Sequence, residues 1–344
     1  MDPSDGGHPR YLRFMPLPMS KSEFNRLGER LIAHQSLSEA DLADLETALA
    51  AYQQVLGQVK VHLRSLGFAP TDRVKTTTTM TDKLRRTHGM QLSRMQDLAG
   101  VRITVHNLAA QDEARDRISE FYTTEGSRWR VIDRREDPRF GYRALHLVVF
   151  VDDLPVEIQI RTELQDTWAQ IVERLADRWG RGIRYGEDPE HPDSIVRSGK
   201  VVVTRRQHLA TLTALSDAIW LVEQSRRRSD ELKSLLVNAD SIWQVVQSAW
   251  SESPADKILP RAIPLVEEFA ADLAPVSGEL DDEVRELMAT PPADLTTAQA
   301  RRVVDAGLDD LRRRDIELTA LLASEEQGLR ATLQLVAGAT DEGV

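Results

Sequence analysis

The sequence predicts an α+β fold, a mixed β-sheet flanked by helices, followed by an all-helical C-terminal region. Three observations carry this. Apolar residues recur at three- and four-residue intervals from Leu42 to Leu66; short β-branched runs occupy the middle of the chain; and beyond about Arg205 the pattern is helical, broken only by proline and glycine signals.

The elements follow in order. Residues 1–19, with Pro16, Pro18 and early glycines, read as an irregular arm, and a helix is expected from Lys21 to about His34. Ser38 caps a longer helix, with Asp41 completing a capping box in its short-carboxylate form. Leu42, Leu45, Leu49, Tyr52, Leu56, Val59, Leu63 and Leu66 form its apolar face, and Gly67 with Pro70 ends it. His62 beside that face reads as structural. Val101–Val105 is a short strand, Gln111–Tyr122 a helix, and YRALHLVVFV and LPVEIQIRT pair as a hairpin around Asp152-Asp153. Asp-Asp is a weaker signal for a tight hairpin turn than Asn-Gly. Leu164–Trp179 is helical, and the glycines and prolines of 180–192 close a first domain spanning 20–192. A helical domain, 205–344, follows with segments near 208–228, 231–250, 261–272, 280–289 and 297–337, and a regulatory or oligomerisation role is expected for it. The last segment does not hold a strict heptad, which favours a bundle helix over a coiled-coil arm.

Composition narrows the class. The 344 residues suffice for a sizeable core in two units, and 41% hydrophobic with 29% charged residues is ordinary for a globular chain. Net charge is −11, which argues against a protein whose whole surface coats nucleic acid but leaves room for one basic cleft. There is no cysteine, so disulfides, thiolate catalysis and cysteine zinc sites are excluded. With no run of 18 apolar residues and no leader-like N-terminus, a cytoplasmic location is expected.

The hairpin carries the first chemical signal. If Asp152 and Asp153 form the turn, Val148 faces Glu157, His146 faces Gln159 and Ala144 faces Arg161. Strand alternation then puts Tyr142, His146, Glu157, Gln159 and Arg161 on one face, and Leu145, Leu147, Val149, Val156, Ile158 and Ile160 on the other. So diverse a polar face points to a site; the bland alternative is a surface ion pair between Glu157 and Arg161.

Two further stretches add charge. Residues 72–102 hold seven basic and three acidic residues, a local excess of +4 in an acidic chain. Within RVKTTTTMTDKLRR, Arg73 and Lys75 share a face if extended, and Lys83 follows Thr79 by one helical turn. Arginine forks with lysine point charges are what a triphosphate requires. In MQDLAGVRITV, Asp97 precedes a buried strand and Arg102 is the charge within it. Asp97 and Glu157 are the pair of hard oxygen ligands suited to Mg²⁺, which takes one or two protein carboxylates and completes its shell with phosphate and water. A helix-to-strand cap for Asp97 and a sheet-edge charge for Arg102 are the plainer readings. No HExxH, CxxC, GxGxxG, GxxxxGK[ST] or Gly-flanked serine elbow is present.

RVKTTTTMTDKL, QDLAGVRI, GYRALH and VEIQIRT, in that order, resemble the synthetase domain of the RelA/SpoT family of (p)ppGpp synthetases over about residues 45–180. The resemblance implies a nucleotidyltransferase-like fold and Mg²⁺-dependent transfer of the β,γ-pyrophosphate of ATP to the 3′-hydroxyl of GDP or GTP. It further implies that Arg73, Lys75, Thr79, Lys83 and Arg102 bind ATP, that Asp97 and Glu157 hold the metal, and that Tyr142, His146, Gln159 and Arg161 bind the acceptor. Glu157, Asp97, Arg73 and Lys83 form the implied catalytic set.

The chain departs from the family before GYRALH, where Pro138 and Phe140 replace a usual lysine and asparagine, and at Glu173-Arg174, where the family carries Glu-His. Phe140 cannot make an amide's hydrogen bonds. These departures leave open another acceptor, such as an adenine nucleotide or the 3′ end of tRNA, and a degenerate domain that only binds nucleotide or protein. A homo-oligomer formed through the helical region is also expected.

Overall fold

The computed structural model describes residues 17, 19–33, 38–74, 77–87, 89–250 and 297–341. The expected arm apart from Leu17 and Met19, the helices at 261–272 and 280–289, and Lys75 lie outside these residues, as do the side chains of Arg73 and Thr79.

Two helices open the described chain, α1 (Lys21–Ala33) and α2 (Glu39–Ser65). The Ser38–Asp41 capping box starts α2, and Gly67 takes the left-handed φ of +83° just beyond its end. Leu45, Tyr52, Leu56, Val59 and Leu63 are buried as their spacing predicts, but Leu42 is exposed because it falls outside the strip that meets the sheet. His62 lies against Phe121 and Tyr122, a structural position, and burial pushes its pKa down.

A five-stranded mixed sheet follows, built from β1 (Thr71–Val74), β2 (Ala99–Val105), β3 (Trp129–Asp133), β4 (Leu145–Val151) and β5 (Leu154–Thr162) in the order β1-β2-β5-β4-β3. Strands β2 and β5 run parallel and the other neighbours antiparallel. The helices α3 (Thr77–Arg86), α4 (Leu108–Thr124) and α5 (Glu163–Trp179) connect or follow the strands. The mixed sheet flanked by helices is the predicted class; β1 and β3 escaped sequence reading because each is only four or five residues long.

The hairpin holds the expected register, with Val148 opposite Glu157 and His146 opposite Gln159. Asp152 and Asp153 both adopt left-handed backbone, φ +50° and +62°, the twist of a type I′ turn. The ladder ends at Leu145–Ile160, however, so the expected Ala144–Arg161 pair is not part of it. The backbone of Ala144 turns instead to Arg134, whose N–H donates to its carbonyl at 3.0 Å. Leu145, Leu147, Val149, Val156, Ile158 and Ile160 are fully buried against α2 and α4, so one sheet face is core and the other is left for polar side chains.

After α5 the chain forms a small sheet, β6 (Ile195–Ser198), β7 (Val201–Thr204) and β8 (Thr340–Asp341), in the order β7-β6-β8. The long helices α6 (Arg205–Trp250) and α7 (Thr297–Ala337) form the helical C-terminal region. The break expected near 229–230 is absent: RRRSDELK contains neither Pro nor Gly, and α6 runs through it. Contacts divide the chain into one unit of 1–217 with 335–344 and a second of 218–334. Among its described residues the second is a helix pair in which Ile219, Leu236, Leu311, Leu322 and Leu329 are buried, tied by ion pairs such as Arg312–Asp240 at 2.6 Å. Among the described residues no helix is long and apolar enough to cross a membrane.

Ile158 lies at the centre of the buried sheet face and is wholly inaccessible. Ile158→Ala is expected to destabilise the first unit by about 2–5 kcal/mol, read as a lower denaturation midpoint with little change in slope.

Candidate active site

The polar face of β5 presents Glu157, Gln159 and Arg161 in alternation, beside His146 of β4. These four side chains and Tyr142 close into a ring of hydrogen bonds. Arg161 Nη2 donates to Tyr142 Oη at 3.1 Å and to Gln159 Oε1 at 2.8 Å. Gln159 Nε2 donates to Glu157 Oε2 at 2.9 Å. Tyr142 Oη and His146 Nε2 are 3.0 Å apart, and His146 Nδ1 and Glu157 Oε1 2.9 Å.

The proton positions follow from the partners. A guanidinium only donates and a carboxylate only accepts, which fixes the Gln159 amide with its oxygen toward Arg161 and its nitrogen toward Glu157. In the neutral imidazole, Tyr142 donates to Nε2 and Nδ1–H donates to Glu157. Two chains of donation thus leave Arg161 and end on the two oxygens of Glu157. The ion pair between Glu157 and Arg161 that sequence alone would allow is not formed; Gln159 stands between them.

Burial by itself would raise the Glu157 carboxyl. The hydrogen bond and charge of His146 outweigh it, against the nearby Asp97 charge and with help from Gln159, and hold Glu157 below the usual carboxylate range. Burial pushes the Tyr142 phenol up despite the neighbouring Arg161 charge, so it remains a donor at neutral pH.

Glu157 faces a cavity of about 750 Å³ whose lining also includes Asp97, Gly100, Arg102, Gln159 and Asp166. Parallel pairing sets Gly100 of β2 beside Glu157. Asp97, three residues earlier, therefore reaches the same space. Lys83, on α3, meets Asp97 Oδ1 at 2.7 Å. Arg102 points into the cavity between Asp166 at 3.4 Å and Glu173 at 3.2 Å. The structure thus brings together Lys83, Asp97, Arg102, His146, Glu157 and Gln159, with Tyr142 and the buried Arg161 behind them. Arg73 occupies β1 opposite Gly100, and Thr79 occupies α3.

A divalent ion can be tested against these donors. Among the described residues no group of three or more His, Asp or Glu side chains encloses a metal. Two carboxylates on one cavity wall match instead the sparse mode of Mg²⁺, which leaves most of its shell to water and phosphate. The residues present fit Mg²⁺ in that mode.

Sequence reading singled out Glu173-Arg174 but missed the rest of the helical wall. Asp166, Gln170, Glu173 and Asp177 all line the cavity from α5, followed by Arg181, Arg184 and Tyr185 of the 3₁₀ turn after it. Their spacing of four, three and four residues is a polar stripe at helical period, a signal the sequence did contain. Tyr185 lies against Arg86 of α3, whose guanidinium carbon is 3.7 Å from the ring centre.

Because the Glu157 pKa is lowered on folding, its contribution to stability is complete above the ordinary carboxylate value and is lost as pH falls through the folded value. Removing His146 leaves burial and the Asp97 charge opposed by Gln159. His146→Ala is expected to move the Glu157 titration to higher pH, followed by carboxyl ¹³C NMR; an unchanged midpoint would remove His146 as the cause.

Residues 72–176 match the family model described as a region found in RelA / SpoT proteins. Uncharacterized proteins of Mycobacterium bovis and Mycobacterium tuberculosis are 43% identical over 122 residues, which cover 35% of this chain and 44% of theirs. The chain thus spans less than half the length of these relatives. Among solved structures, small alarmone synthetase 1 from Bacillus subtilis is 23% identical, with 53% of this chain and 94% of that one covered and a TM-score of 0.42. A GTP pyrophosphokinase family protein from Streptococcus pneumoniae is 23% identical, with 51% and 89% covered and a TM-score of 0.39. Residues 72–176 of this chain, which contain the four ordered motifs, thus match the region found in RelA / SpoT proteins.

Proposed function

We propose that the site transfers pyrophosphate from ATP to the 3′-hydroxyl of GDP or GTP, releasing AMP. The observation that carries this reading is the closed hydrogen-bond ring that holds Glu157 charged, beside Asp97, on the wall of a cavity entered by Arg102. A carboxylate kept ionised by fixed donors can accept or orient a hydroxyl proton, while the cationic side chains face the charge of a polyphosphate.

In the proposed reaction Lys83 and Arg102, together with Arg73, Lys75 and Thr79, hold the phosphates of ATP. Tyr142 presents its ring to the acceptor base, and His146 and Gln159 keep both oxygens of Glu157 in place. The acceptor 3′-oxygen forms a bond to the β-phosphorus as the bond from that phosphorus to the α,β-bridging oxygen breaks. The hydroxyl proton passes toward Glu157, directly or through water, and AMP leaves with the bridging oxygen. Mg²⁺ held at Asp97 and Glu157 would supply charge neutralisation for the phosphates. Catalysis then rests on alignment and electrostatics, as phosphoryl transfer generally does.

Incubation with ATP and Mg²⁺, together with GDP, GTP, ADP or tRNA in separate arms, tests the reading by product separation. AMP with a 3′-pyrophosphorylated guanine nucleotide is expected. Product only in the ADP or tRNA arm would reassign the acceptor, and AMP with no pyrophosphorylated product in any arm would refute transfer. Glu157→Gln keeps the side-chain shape and loses the charge; its turnover is expected to fall at least about 100-fold with the fold intact by circular dichroism.

A further inference from the structure

Asp166 is the fourth residue of α5, just past the Thr162 cap, and only 8% of it is exposed. Its Oδ1 takes Arg161 Nη1 at 3.0 Å and Arg102 Nη1 at 3.4 Å, while Oδ2 accepts from Gln170 Nε2 at 2.6 Å. One carboxylate oxygen is therefore shared by two guanidiniums. Arg102 stands in the cavity, and Arg161, 2% exposed, stands behind Tyr142 and Gln159.

Resting on the pyrophosphate-transfer reading, we propose that Asp166 is a positioning residue that couples the donor half of the site to the acceptor half. In the structure its Oδ1 is divided between the two arginines. The phosphates of ATP compete for Arg102 and draw it from Asp166, since a polyphosphate offers a fork of oxygens with more charge than one carboxylate. Asp166 is then left to Arg161 alone. The tighter pair stiffens Arg161, which is the source of both donation chains to Glu157 and the partner of Tyr142. An acceptor nucleotide consequently meets a face already ordered, and its affinity rises when the donor is bound. Linkage requires the acceptor to favour the donor by the same factor. Glu173, the other partner of Arg102 at 3.2 Å, acts on Arg161 through its charge, whereas Asp166 offers one oxygen to both guanidiniums.

The test measures the dissociation constant of GDP by calorimetry, with and without saturating non-hydrolysable α,β-methylene ATP, on the full chain with Mg²⁺. In the wild type, GDP is expected to bind about 5-fold or more tightly with the donor analogue present. In Asp166→Asn, which keeps an oxygen for Arg161 but no charge, each nucleotide still binds and the two GDP constants agree within about twofold, the loss of coupling expected when the linkage is cut. A structural role alone would lower the unfolding midpoint and leave the ratio unchanged. Arg102→Gln severs the link from the other side while leaving the buried Arg161–Asp166 pair; with the analogue raised to saturation, GDP affinity is again expected to ignore it. Coupling retained in either variant, or absent from the wild type, overturns the proposal. Failure of the wild type to bind either nucleotide instead overturns the transfer reading itself.

Discussion

A guanidinium buried almost completely beneath a sheet face organises this molecule's polar half. Arg161 cannot shed its charge, and an unpaired charge in that position would cost several kcal/mol, so its surroundings have to answer it. Asp166, Tyr142 and Gln159 do so. Each of these is in turn fixed by something else. The start of α5, which carries Asp166, is set by the Thr162–Gln165 capping box, and Gln165 is tied to the buried Gln111, whose amide also donates to the Ile160 carbonyl at 2.7 Å. The strand that carries Arg161 and the helix that neutralises it are thus joined in one hydrogen-bonded corner.

The loop that delivers Tyr142 is held as tightly. Gly141 has a φ of +82°, and a side-chain carbon there would come within 2.8 Å of the Trp168 ring. Only glycine lets the backbone lie so close to α5 in that conformation. Its carbonyl accepts from Ser216 of α6, and Trp168 Nε1 donates to the Leu212 carbonyl at 2.6 Å. Arg143, also buried, reaches Asp217 at 2.7 Å and the Arg135 carbonyl. Phe140, beside this anchored stretch, keeps an exposed ring over the backbone of Gly186 and a left-handed φ of +54°. Phe140 therefore adjoins an anchored stretch, and its apolar ring offers no hydrogen bond to a neighbour.

The cavity chemistry follows from these constraints. Lys83 with Asp97, and Arg102 with Asp166 and Glu173, are ion pairs at a partly open wall, where polyphosphate can replace carboxylate as the partner of a cation. Glu157 differs: its hydrogen-bond partners are His146 and Gln159 of its own sheet face and not a lysine or arginine of the wall, so its charge remains available to the cavity. The same sheet supplies both behaviours because β2 and β5 run side by side, with the Asp97 end of one level with Glu157 of the other.

Much of this was legible before any tertiary structure. Alternation in LPVEIQIRT and the Asp-Asp turn determine the hairpin register and hence which side chains share a face, since a strand has only two faces. The four ordered motifs determine the family of residues 72–176, and the Ser38–Asp41 spacing determines the start of α2. What the sequence by itself could not decide was which neighbour each charge takes. Arg161 and Glu157, two and four residues apart along one strand from Gln159 and from each other, read as a pair but are separated by an amide, and Asp166 serves two arginines from different strands. The short strands β1, β3 and β8 also have no period long enough to announce them; they exist because a neighbouring strand offers unpaired backbone groups. Local periodicity is a property of the chain, whereas the partner of a buried charge is chosen by the packing of elements far apart along it.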